Sequence, residues 1–155
     1  MRLAATAVLL AAAALTITVQ AQADETRFDR AFDAAIEAAA PRFRPHPPAP
    51  SVRPREYGYR EWRTDGATVS VRYFLRESPN AASKLLRERM LMLSVPTTPI
   101  GGYGEESYLV APGRTTCRLW FRHGAVIVEV TAPELDTLRR VATLFADAVA
   151  ASLQP

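Results

Sequence analysis

Few residues in this 155-residue chain are of types that do chemistry, and their spacing decides what each could contribute. Cys117 is the single cysteine, and His46 and His123 are the two histidines. A thiolate nucleophile needs a base within hydrogen-bond reach. Cys117 and His123 sit six residues apart on one strand and its turn, a poor geometry for that pairing. No serine stands in a nucleophile-elbow pattern. Two histidines, one in a proline-rich stretch and one at a hairpin tip, make no metal site. Met90 and Met92 bring copper to mind, but no histidine or further methionine is near them, so core packing is the better account.

The glycine-containing stretch Val95 to Gly104, VPTTPIGGYG, reads as a loop. It lacks the preceding strand and following Gly-Lys-Ser/Thr of a phosphate cradle. Tyr103 within it could pack or meet a ligand. Glu105 and Glu106 are adjacent, so on a strand they point to opposite faces and do not cooperate as acid and base. The sequence therefore assigns no catalytic residue, no metal ligand and no cofactor. It leans away from an enzyme, with a small hydrolase as the remaining alternative.

The elements that position these residues are clearer. Cys117, Leu119 and Phe121 alternate with Arg118, Trp120 and Arg122; Val126, Val128 and Val130 alternate with Ile127, Glu129 and Thr131. With His123-Gly124 as a two-residue loop, Phe121 pairs with Val126, Leu119 with Val128 and Cys117 with Val130. Trp120 then lies beside Ile127, Arg118 beside Glu129 and Thr116 beside Thr131. In this reading Cys117 faces the core as a small apolar residue, and His123 fills a turn position that tolerates positive φ. Thr131-Ala132-Pro133-Glu134 has the pattern of a capping box for a helix that buries Leu135, Leu138, Val141, Ala142, Phe145, Val149 and Leu153.

Earlier in the chain, Tyr57 to Arg63 and Ala67 to Arg76 read as strands around Asp65-Gly66, with Trp62 opposite Val69. Ser78-Pro79 starts a helix whose stripe is Ala82, Leu85, Leu86, Met90 and Leu93. Ser107 to Ala111 reads as a short strand. Residues 24–40 form an amphipathic helix with Phe28, Phe32, Ile36 and Ala39 on one side, and Pro41 ends it. Residues 41–55 hold five prolines by position 50 together with several arginines, an extended linker. Residues 56–155 then form one domain.

Residues 1–23 have the order of a secretory signal peptide: Met1-Arg2, an uncharged apolar run from Leu3 to Val19, and Ala21-Gln22-Ala23 before Asp24. No cysteine at that site argues for a lipid anchor, and no later stretch is a candidate membrane span. Cleavage would take 23 of 155 residues, leaving 132 with 18 basic and 16 acidic side chains. So mild a balance does not imply nucleic acid, whose binders carry a concentrated basic face. The expected location is secreted or periplasmic. One cysteine allows no internal disulfide, so the core must supply stability.

The expected fold is α+β: a mainly antiparallel sheet of about five strands with two helices packed on one face, plus the N-terminal helix and linker. The other face would then carry Trp120, Arg118, Arg122, Arg72, Phe74 and Tyr59, and possess the composition of a binding surface. Its partner would be a protein or envelope component, or a second copy of the chain. Cover by the N-terminal helix is the alternative.

Gly104-Glu105-Glu106, the strand ending Phe121-Arg122-His123-Gly124, the valine-rich strand and the terminal helix together resemble a layout of small exported bacterial domains. These include uncharacterised secreted proteins and extracellular parts of lipoproteins and sensors. The likeness covers the last 50 or so residues. It implies an α+β fold and export, and brings no catalytic residue with it.

Overall fold

The computed structural model describes residues 27, 30, 31, 33–38, 42–46, 58–64, 67–111, 113 and 115–153. The expected signal peptide, residues 47–57 of the linker and the start of its strand, and Asp65-Gly66 lie outside them. The fold is α+β, as expected. Helical residues within 27–38 form α1. There follow β1 (Arg44–His46), β2 (Gly58–Thr64), β3 (Ala67–Leu75), α2 (Pro79–Met92), β4 (Thr97–Pro99), β5 (Glu106–Val110), β6 (Cys117–His123), β7 (Val126–Ala132) and α3 (Leu135–Ser152). The strands make one sheet in the order β1-β2-β3-β7-β6-β5-β4, with every adjacent pair antiparallel.

Two short edge strands extend the five that the sequence suggests. Arg44–His46, placed by composition in the linker, pairs with β2, with Pro45 opposite Trp62. A proline is tolerated there because an edge strand leaves one row of N–H groups out of the ladder. Thr97–Pro99, expected as loop, pairs with β5 at the other edge.

Trp62 stands opposite Val69, as the alternation requires. The β6–β7 register differs from expectation by two residues. His123 pairs with Val126, Phe121 with Val128, Leu119 with Val130 and Cys117 with Ala132. The loop is Gly124-Ala125, and Gly124 has φ 55°, at the first loop position where a type II′ turn needs glycine. His123 is therefore a strand residue and needs no positive φ. A shift of two keeps every side chain on its expected face, so Cys117 is buried in the core as a free thiol.

One face of the sheet packs on α3. Trp62, Val69, Val71, Tyr73, Leu119, Phe121, Val126, Val128 and Val130 meet Leu138, Val141, Ala142, Phe145 and Val149. Trp62 and Phe145 lie 5.5 Å apart between ring centres. Ile36 of α1 joins this same cluster, so the described part of α1 packs on the α3 side and not over the opposite face. Thr131 and Ala132 remain in β7, opposite Arg118 and Cys117. The capping box therefore does not form: α3 is capped at Glu134 without a side-chain bond, and Leu153 is exposed rather than buried.

The main correction concerns α2. It packs on the opposite face from α3, with Ala82, Leu86 and Met90 against Phe74, Val110, Trp120 and Ile127. Topology accounts for this. The chain leaves β3 and must reach β4 at the far edge, crossing β7, β6 and β5. Those strands are apolar on both faces, and α3 already covers one. Ser78 caps α2 through Ala81 N–H, with Pro79 in the first turn, as the sequence indicates. Met92 is 82% exposed, so only Met90 of the two methionines is a core residue.

The β5 end is fixed by Gly104, which has φ 78° and whose added Cβ would stand 2.3 Å from the Arg122 carbonyl oxygen. Gly102 shares a positive φ but faces open space. Gly104→Ala is expected to cost about 2–3 kcal/mol and Gly102→Ala about 1 kcal/mol, read as the ordering of their melting temperatures. Equal losses would contradict the close approach at Arg122.

Candidate functional site

The face expected to be open is the face that α2 covers. Trp120 is 5% and Phe74 4% exposed, stacked at 6.0 Å beneath the helix. Neither is available to a partner or to a second copy. What remains uncovered are two polar flanks, one on each side of α2.

Arg122 lies on the β5 flank and is enclosed. Its guanidinium contacts Glu105 at 3.0 Å and Glu106 at 3.6 Å, and donates to the Gly124 carbonyl at 2.9 Å. Glu105 precedes β5 rather than lying on it, so both adjacent carboxylates reach the same arginine instead of diverging. Glu105 also accepts from Gly124 N–H at 2.9 Å and lies 3.5 Å from His123 Nδ1. Glu106 accepts from Arg87 and Ser83 at 2.8 Å and from Tyr108 at 2.9 Å. Burial alone would raise the Glu106 pKa, but these hydrogen bonds outweigh it and hold the carboxyl below its ordinary range. The cluster ties α2 to the hairpin, and its carboxylates are satisfied.

The β2–β3 flank is different. Glu129 sits at the centre of β7 with Arg72 opposite it on β3 and Trp120 opposite it on β6. It is 3% exposed. Burial pushes its pKa up, and Arg72, Arg118 and Arg89 offset that only in part. The Arg72 Nε to Glu129 Oε2 distance is 3.4 Å, an ionic contact without hydrogen-bond alignment, so Oε2 has no hydrogen-bond partner among the described residues. The buried Trp120 indole N–H likewise has none there. Arg89, in the last turn of α2, lies over the Phe74 ring at 5.6 Å. Tyr59 is half-buried and donates to Glu61 at 2.6 Å; burial is the first cause of its raised pKa, followed by that bond.

Arg72 and Tyr59 thus stay on this accessible flank, and Arg118, across β7 on β6, is partly exposed. Arg72 is the most open of them, its side chain 45% exposed. Arg122 belongs to the enclosed cluster, while Trp120 and Phe74 are buried. Sequence reasoning missed Glu129 and Arg89. The signal was a lone glutamate within the otherwise apolar VIVEV, which the alternation pairs with an arginine and does not reveal as buried. Among the described residues no three His, Cys, Asp or Glu side chains are grouped to hold a metal, and no helix is long and apolar enough to cross a membrane. In comparisons with known proteins, no family model, curated protein or solved structure matches this chain.

The two glutamates carry opposite pH signatures. Glu106, with a lowered folded pKa, contributes stability above its unfolded pKa that is lost as pH falls through the folded value. Glu129, with a raised one, contributes stability below its unfolded pKa that is lost as pH rises through the folded value. Glu106→Ala is expected to cost about 2 kcal/mol at neutral pH, a deficit that shrinks on acidification. Glu129→Gln is expected to match or exceed the parent's stability at neutral pH. Chemical denaturation across pH measures both, and a neutral-pH loss for Glu129→Gln as large as that for Glu106→Ala would contradict the assignment.

Proposed function

We propose that this chain is a non-catalytic exported binding domain that takes an acidic envelope or extracellular partner on the β2–β3 flank. Arg118 and Arg72 are the principal contacts, with Tyr59 beside them. One observation carries the reading. Arg72 stands 3.4 Å from the buried Glu129 carboxylate with its own side chain 45% exposed, Arg89 lies over the Phe74 ring beside it, and Arg118 and Arg89 form no ion pair among the described residues. That leaves a cationic excess on a rigid sheet backed by the Phe74–Trp120 stack. Arginine forks on an immobile platform suit carboxylate, sulfate or phosphate groups.

Export is supported by the basic start, the apolar run and the small-residue site of the first 23 residues. The enclosed Glu105–Glu106–Arg122 cluster serves folding in this reading, since its acidic groups are already neutralised. The reading is tested with chain beginning at Asp24, passed over an immobilised uronic-acid oligosaccharide at low and moderate salt. Retention should fall with salt, and Arg118→Glu with Arg72→Glu should weaken binding at least about tenfold while circular dichroism is unchanged. Binding equal to that of the parent in the folded double variant would overturn the assignment.

A further inference from the structure

We propose that Glu129 is a built-in competitor for the acidic group that docks at Arg72 and Arg118, so that each docking event is coupled to uptake of a proton by the Glu129 carboxylate. This rests on the reading of the β2–β3 flank as the binding site. The geometry requires the competition. Arg72 presents Nε to Glu129 at 3.4 Å while about half of its side chain faces outward. The same guanidinium group therefore addresses the internal carboxylate and any external anion. The Glu129 backbone is held in place, because β7 is hydrogen-bonded on both edges, to β3 and to β6.

The charged and titratable groups facing Glu129 among the described residues come from each element around it. Arg72 comes from β3, Arg118 from β6 and Arg89 from α2. Tyr59, opposite Arg72 on β2, lies one strand further away and is engaged with Glu61. Glu61 shares this face on β2, where it is paired with Arg63 at 2.8 Å and so adds little net charge. An anion added at the arginines cancels part of the only field that favours ionised Glu129, and its buried carboxylate takes a proton from solvent. By linkage, protonating Glu129 first must strengthen anion binding by the same factor. The raised pKa of Glu129 places this exchange above the ordinary carboxylate range. The partner is accordingly a strong-acid or carboxylate polymer bound more tightly in acidic surroundings.

The test uses a sulfated dextran oligosaccharide, whose groups stay ionised throughout, and calorimetry in buffers of different ionisation enthalpy. The parent protein should take up a fraction of a proton per bound site, with affinity rising several-fold as pH falls through the raised midpoint of Glu129. Glu129→Gln should bind at the parent's acidic-pH affinity at every pH, with no uptake. Binding by the parent without proton uptake, or uptake persisting in Glu129→Gln, overturns the coupling while leaving the binding site standing. Absence of any binding by the parent overturns the site and the coupling together. If Glu129→Gln does not fold, the His46→Gln/His123→Gln chain decides: uptake that survives loss of both histidines supports Glu129, and uptake that vanishes overturns it.

Discussion

The structure depends on a sheet that is apolar on both faces. Val128 and Val130 turn to α3, Ile127 turns to α2, and Trp120 and Phe74 share that second face. A sheet of this kind stays in water only when both faces are covered. Each large side chain buried there contributes about 1.5–3 kcal/mol, so neither helix is dispensable. The chain meets the requirement by connectivity. α3 follows directly from β7, and α2 crosses the other face on its way to the far edge.

That double cover sets the electrostatics. A carboxylate on a covered face must be neutralised by neighbours or resist ionisation. Glu106 takes the first course, with three donors within 2.9 Å. Glu129 takes the second, with an ionic contact to Arg72 but no aligned donor among the described residues. The two flanks of α2 consequently differ in kind: one is a closed strut between helix and hairpin, the other an arginine-bearing surface over an acid that is only partly compensated.

Much of the fold was legible because strand alternation and helical stripes are read from local spacing. The faces of β3, β6 and β7, the Trp62–Val69 pairing, the inward position of Cys117 and most of the α3 stripe all followed from it. The hairpin register slipped by two because the identity of the loop residues rests on backbone φ. Gly124 fits the first loop position, whereas alternation alone accepts either choice. The side on which α2 packs was not legible either. A helical stripe says which side of the helix is apolar and nothing about which face of the sheet receives it. That one ambiguity turned Trp120 and Phe74 from surface into core. Arg72 survived it because β3 lies to one side of the strands that α2 crosses, and Arg118, on β6, stays only partly exposed; Glu129 stayed hidden because burial is a tertiary property.

The charge balance of the β2–β3 flank turns on the ionisation of Glu129 in its arginine surroundings. Carbon-detected NMR of the Glu129 side-chain carboxyl across pH measures that directly. The midpoint should lie above the ordinary carboxylate range and move further up in Arg72→Ala. A midpoint at or below that range in the parent protein would mean that the arginines fully satisfy Glu129, and would contradict the cationic excess on which the binding site depends.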